Sequence, residues 1–257
     1  MAHPLSSEKE PSSKSSNNPA AGSTPLLRFH FLSLFPETFS PILNSSVLKR
    51  AQEKGLVEFN LVQIRDFATD KHHTVDDTPF GGGEGMVLRA DVLFAAWQSV
   101  AHENSETILL SPQGEIFDQA QAKALAVAKR DLILVCGHYE GVDERFIELC
   151  VNREISVGDY VLTGGELPAM VLADAITRLI PGAVGNERSI AHDSLENGLL
   201  KYPQYTRPRE FGGLSVPEIL LSGDHAAISR YREAQMNERT QTKRPDLWKK
   251  IREPDEV

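Results

Sequence analysis

The sequence predicts an α/β fold: a mostly parallel sheet with crossover helices, followed by a small helical C-terminal domain. Three observations carry this expectation. Strand-length apolar runs alternate with helix-length segments as far as Ile180, the order that βαβ units produce. The run Leu132-Ile133-Leu134-Val135-Cys136 is apolar at every position, as in a strand covered on both faces. From Ser215 to Trp248 the pattern changes to helical spacing with little strand potential.

The elements follow in order. Residues 1–24 are rich in Ser, Asn and Pro and hold almost no large apolar residue beyond Leu5. Such a segment buries too little surface to offset its ordering entropy, so a disordered tail is expected. A transit peptide would carry more Arg and fewer acids than Glu8 and Glu10. Residues 28–34 read as a strand. Pro36 opens a helix through Phe39, Ile42, Leu43, Val47 and Leu48, and Gly55 ends it. Residues 57–64 read as a second strand. A polar stretch, 65–78, leads into Pro79-Phe80-Gly81-Gly82-Gly83-Glu84-Gly85. Residues 90–101 are helical, and 107–110 form a short strand ending at Ser111-Pro112-Gln113-Gly114. Asp118 caps an Ala-rich helix that runs to Arg130. Beyond the all-apolar strand come a helix over 142–150, a strand over 153–157 and, after Gly164-Gly165, a helix over 166–180. Pro181-Gly182 stops this part. The expected domains are therefore a tail (1–24), an α/β domain (25–183), a polar linker (184–197) and a helical domain (198–257).

Composition excludes several classes. The chain has 257 residues, 40% hydrophobic and 25% charged, which is too apolar for a disordered protein. Its net charge of −9 excludes a uniformly basic nucleic-acid coat. The charge is uneven, however. Residues 1–196 hold 16 basic and 27 acidic residues, and residues 197–257 hold 11 and 9. The second part is either a solvated helical surface or a phosphate-contacting domain beside an acidic catalytic one. Two cysteines, Cys136 and Cys150, exclude a disulfide scaffold and a four-cysteine zinc site, and read as buried small hydrophobes. No apolar run approaches the ~20 residues of a membrane span, and no apolar leader core is present. A soluble, cytoplasmic protein is expected.

Three loops follow the carboxyl ends of three apolar strands: 111–114, 137–141 and 158–165. Open α/β sheets bind ligands at that edge. Each loop alone is explained by turn chemistry; three together point to a ligand pocket. They are neither G-x-G-x-x-G nor G-x-x-x-x-G-K-[ST], so a dinucleotide fingerprint and a phosphate-binding P-loop are both missing. The 81–85 glycines read as a lid or as a solvent-exposed loop. His72-His73 beside Asp70, Asp76 and Asp77 matches no standard metal spacing.

Three runs resemble the TrmD family. They are Pro79-Phe80-Gly81-Gly82-Gly83-x-Gly85-Met86, then Gly137-His138-Tyr139-Glu140-Gly141-Val142-Asp143-Glu144-Arg145, then Ser156-Val157-Gly158-Asp159-Tyr160-Val161-Leu162-x-Gly164-Gly165-Glu166-Leu167-Pro168-Ala169. The family comprises bacterial tRNA (guanine-N1) methyltransferases of the SPOUT superfamily, and the resemblance runs from Phe29 to Trp248. It implies transfer of a methyl group from S-adenosylmethionine to N1 of the guanosine 3′ of the anticodon. It implies a deep trefoil knot, a homodimer with each active site built across the interface, and a link with Mg²⁺. Glu84, His138 and Thr163 stand where the family more often has a small residue or proline, often an arginine, and usually a serine.

By the same resemblance, the cofactor pocket is lined by Pro112, Gly137, Tyr139, Glu140, Gly141, Val157, Gly158, Asp159, Tyr160, Val161, Leu162, Gly164 and Gly165. Asp193 matches the general base and Arg178 the cation that stabilises O6. Guanine N1 carries a proton and is a poor nucleophile until it is removed, and the resulting charge spreads to O6, so the reaction needs both groups. A raised pKa is expected for Asp193, or else help from the O6 donor. Read from the residues alone, each has a competing role. Asp193-x-x-Glu196 is a capping-box-like helix start, and Arg178 is spaced to pair with Asp174. Glu140 is a third acidic candidate, to orient Arg178 or help hold Mg²⁺. Arg207 and Arg209, with Tyr202 and Tyr205, lie where tRNA would be gripped. The rival readings are another SPOUT RNA methyltransferase, a non-catalytic RNA-binding module on the same fold, and a nucleotide-binding oxidoreductase.

Overall fold

The computed structural model describes residues 25–185 and 193–252. The expected tail, 1–24, lies outside them, as does half of the expected linker, 186–192. The chain opens with β1 (Leu27–Ser33), a 3-10 turn (Pro36–Thr38), α1 (Ser40–Leu43), α2 (Ser46–Glu53) and β2 (Val57–Gln63). A short hairpin, β3 (Asp76–Asp77) with β4 (Val87–Leu88), brackets the glycine run, and α3 (Ala90–Gln98) follows. Then come β5 (Ser105–Ile116), α4 (Gln119–Ala128), β6 (Asp131–Cys136), α5 (Glu144–Cys150), β7 (Arg153–Ser156) and α6 (Glu166–Thr177). The C-terminal part holds β8 (Glu210–Phe211), β9 (Leu214–Ser215), α7 (His225–Lys243) and α8 (Pro245–Arg252).

Five strands form one sheet in the order β2-β1-β6-β5-β7, and every neighbouring pair is parallel. The all-apolar run is the central strand, β6. Its alternate residues feed the two faces: Leu132, Leu134 and Cys136 pack with α1, α2, α4 and α6, while Ile133 and Val135 pack with α3 and α5. Helices on both sides explain why no polar face is needed in this strand. Phe29, Phe31 and Phe39 are fully buried on the first face, each worth about 1.5–3 kcal/mol of transfer free energy.

The structure departs from the sequence reading in four places, each for a local reason. The single helix expected from Pro36 to its stop at Gly55 is three pieces, because Asn44 closes α1 by bonding back to Ser40 and Ser46 takes a positive φ of 46°. The strand expected to end at Leu110 resumes: β5 pairs with β7 through Leu110↔Ile155, loops out over 111–114, and pairs again through Glu115↔Ile155 and Ile116↔Ser156. Residues 193–198 form turns, not a helix start. The helical C-terminal part includes the β8–β9 hairpin, turned by Gly212 and Gly213, both at positive φ. The Asp118 cap stands, its carboxylate accepting the Gln121 N–H at 2.9 Å.

Candidate active site

Parallel strands share one carboxyl edge, so the 111–114 loop-out of β5 and the loops after β6 and β7 meet there. They enclose a cleft of about 340 Å³, within the range of small-molecule sites. Its walls are apolar at Leu110, Pro112, Val157 and Leu162, with polar groups from Ser111, Glu140 and Ser156. The last two loops are joined directly: Gly165 N–H donates to Gly137 O at 3.0 Å. Two close approaches demand glycine. A Cβ on Gly114 would overlap the Glu154–Ile155 backbone, and one on Gly165 would overlap Cys136.

Of the predicted cofactor residues, Pro112, Gly137, Tyr139, Glu140, Gly141, Val157, Gly158, Tyr160, Val161, Leu162, Gly164 and Gly165 all line this cleft. Asp159 does not. Tyr160 N–H bonds to Gly158 O at 2.9 Å, a one-residue turn that leaves Asp159 exposed at its centre while its two neighbours line the wall. Sequence reasoning also missed a polar cluster at the cleft, the buried Ser33 and Glu166 with the half-buried His138. Their one legible signal is an acidic residue inside an otherwise apolar helix start.

The predicted catalytic pair meets elsewhere. Arg178 Nη2 donates to Asp193 Oδ2 at 2.5 Å, and Lys201 Nζ donates to Asp193 Oδ1 at 2.9 Å. The capping role of Asp193 is thereby overturned: its carboxylate serves two cations, and Glu196 turns away to Lys123 at 2.6 Å and Gln119 at 2.7 Å. The side-chain partner of Arg178 is Asp193; only its backbone N–H reaches Asp174. The raised pKa expected for Asp193 is overturned too. The Lys201 ammonium first, then the Arg178 guanidinium, holds the carboxyl below its ordinary value against the opposing effect of burial. Lys201 was not singled out for this role, because nothing in the spacing of 193 and 201 announces it.

Cleft and pair lie at opposite ends of one helix. Gly165 caps the start of α6 and Arg178 its end. Twelve residues separate them, about 18 Å along the axis. Glu140, a cleft residue, is thus far from the Arg178 of its own chain; its side chain packs against Gly85.

Arg207 and Arg209 line a second cleft of about 520 Å³ in the C-terminal part, with Tyr202, Tyr205 and Arg232. Arg232 lies over the Tyr202 ring, 4.7 Å from its centroid, and Arg209 pairs with Glu218 at 2.6 Å. Among the described residues, no group of three or more His, Cys, Asp or Glu is arranged to hold a metal ion. Asp70 is spent on its own turn, accepting from His72 and Thr74, which draws its pKa down to about 2. Cys136 and Cys150 are buried, and burial pushes both thiols up. No helix among the described residues is long and apolar enough to cross a membrane.

The family model described as tRNA (Guanine-1)-methyltransferase TrmD matches residues 27–250. A Moorella thermoacetica protein named tRNA (guanine-N(1)-)-methyltransferase is 55% identical over 229 residues, covering 88% of this chain and 91% of that one. A protein of the same name from Pelotomaculum thermopropionicum is 54% identical over 227 residues, 87% and 90% of the two chains. Another, from Staphylococcus epidermidis, is 53% identical over 222 residues, 86% and 90%. A match over nearly the whole described chain, with relatives above half identity, establishes that this protein belongs to the TrmD family.

Proposed function

We propose that the protein is a tRNA methyltransferase that moves a methyl group from S-adenosylmethionine to N1 of the guanosine 3′ of the anticodon. The observation that carries this reading is the Arg178–Asp193 pair at 2.5 Å, in a chain whose sheet edge holds a cleft of cofactor size. When bound, S-adenosylmethionine supplies a methyl already activated by its sulfonium. The cleft suits it: apolar walls for the adenine, and backbone groups of the glycine loops for its ring nitrogens.

Asp193 takes the N1 proton, and Arg178 donates to O6 as negative charge gathers there. A carboxylate held below its ordinary pKa is a weak base, so most of the assistance must come from Arg178 lowering the cost of the guanine anion. Arg207 and Arg209 hold the RNA, with Tyr202 and Tyr205 offering faces for exposed bases.

The protein acts as a homodimer with composite sites. Two features support this reading: the helix length between cleft and pair, and α6, which leaves Leu167 and Val171 about half exposed one turn apart. A trefoil-knotted path through the 111–114, 137–141 and 158–165 loops, and a cytoplasmic location where tRNA is processed, belong to the same reading.

The test is mass spectrometry of tRNA incubated with the protein and S-adenosylmethionine. One N1-methylguanosine per substrate tRNA is expected, and Asp193→Asn should lower turnover by about 10²–10⁴-fold. Undiminished turnover in Asp193→Asn would remove the proposed base. Methylation of a ribose instead would favour another SPOUT activity.

A further inference from the structure

At the wall of the cleft, three polar side chains from separate elements meet: Ser33 and Glu166 are buried, and His138 is half-buried and lines the cleft. Ser33 ends β1, His138 lies in the loop after β6, and Glu166 opens α6. Ser33 Oγ accepts the Phe35 N–H at 2.8 Å, so its own proton goes to Glu166 Oε1 at 2.5 Å. His138 Nε2 lies 3.0 and 2.9 Å from the two Glu166 oxygens, which assigns a proton to that nitrogen. Glu166 is 7% exposed and Ser33 wholly buried. A carboxylate so enclosed is costly unless it is paired and hydrogen-bonded, and here both oxygens are served. The His138 ring is also wedged in place. Phe35 packs on it at 5.0 Å between centroids, and a Cβ on Gly164 would overlap both the ring and the Glu166 carboxylate. The mechanism above uses none of these groups.

We infer that Ser33, Glu166 and His138 form a clamp that sets the spacing of the two glycine loops, with His138 as a positioning residue for the methyl donor. His138 carries the 137–141 loop, and Glu166 directly follows the 158–165 loop. Their bond runs parallel to the single backbone bond that joins the same loops, Gly165 N–H to Gly137 O at 3.0 Å. With the clamp broken, that amide bond alone holds the cleft to width. The clamp's effect on the donor rests on the cofactor reading proposed above; the clamp itself does not.

Hydrogen exchange at the Gly165 amide in the ligand-free protein is the direct readout. His138→Phe keeps the ring packing and removes the donor. It is expected to speed exchange at Gly165 by about tenfold or more, since a hydrogen bond to a charged group is lost. Glu166→Gln is expected to loosen the same amide. His138→Arg restores a hydrogen-bond donor to Glu166 and should return exchange to within about threefold of the parent. S-adenosylmethionine affinity, measured by calorimetry on the same proteins, should fall and recover in parallel, while tRNA affinity stays level.

Unchanged exchange in His138→Phe would overturn the clamp. So would acceleration spread evenly over core amides, or a failure of His138→Arg to rescue. Loosened loops with unaltered cofactor affinity would overturn the positioning role. If the parent protein bound no S-adenosylmethionine, the cofactor reading would fall, and the exchange measurement would still decide the clamp.

Discussion

In the proposed reaction Asp193 acts as a base while two cations hold it as a carboxylate. Of the two, Lys201 has the larger effect on its pKa, yet only Arg178 has a part in the chemistry. Lys201 therefore tunes the base without touching the guanine. Its removal lets the carboxyl rise toward its ordinary value, so protonation, and loss of activity, begins at a higher pH on acidification. In Lys201→Met the acid limb of the kcat/KM profile is expected to move to higher pH, with the neutral plateau kept within about threefold. A pH–rate profile measured on both proteins checks this, and an acid limb that stays in place rejects it. Stability has the same sign: a carboxyl with a depressed folded-state pKa stabilises above its unfolded pKa, and that contribution is lost as pH falls through the folded one. The sequence made Asp193 and Arg178 legible as a pair through family motifs alone. Read by spacing, both pointed to local partners, Glu196 and Asp174. Lys201 escaped both routes, because an eight-residue separation through an irregular turn has no periodicity to read.

At the scale of elements, the cleft exists because backbones touch where side chains usually stand. Gly165 has an ordinary φ of −81°, so an alanine there meets no backbone strain. It meets instead the Cys136 Cα and the Gly137 nitrogen at the end of β6. Gly165→Ala is expected to destabilise the fold by about 1–3 kcal/mol through overpacking. Gly185→Ala, whose Cβ has open space, should stay within about 0.5 kcal/mol. Denaturant titrations of both variants check the pair of values. Equal stability of Gly165→Ala and the parent would mean the β6–α6 junction yields freely. This contrast explains which elements the sequence made legible. Strands β1, β2, β6 and β7 and helices α3, α4 and α6 follow from apolar period and caps, which are local. The resumption of β5 after its loop is not local: it depends on Gly114 lying against Glu154 and Ile155 some forty residues on. The short breaks in the first helix turn on Asn44 and Ser46, whose side-chain and φ choices override an apolar pattern that continues through them.

For the whole molecule, the question is how the proposed base at one end of α6 would serve a cofactor in the cleft at the other. About 18 Å of helix separates Gly165 from Arg178 in one chain, and α6 is the rigid, mostly buried element that fixes that distance. Bending it would break the core it forms with α4 and β6. A second copy resolves the geometry if its Arg178–Asp193 pair is brought to the first copy's cleft, so that every site takes cofactor loops from one chain and the base from its partner. Mixing two inactive chains then regenerates activity. One is Asp193→Ala; the other is Leu162→Trp, a side chain that fills the cleft, confirmed to have lost cofactor binding. With free exchange, half the dimers are mixed, and one of the two sites in each combines an intact cleft with an intact base. Methylation should recover to about a quarter of the parent's specific activity. Recovery should follow the mixed-dimer fraction seen by native mass spectrometry as the mixing ratio is varied. Were base and cleft to act within one chain, every site in a mixed dimer would still lack one part, and activity would remain at zero.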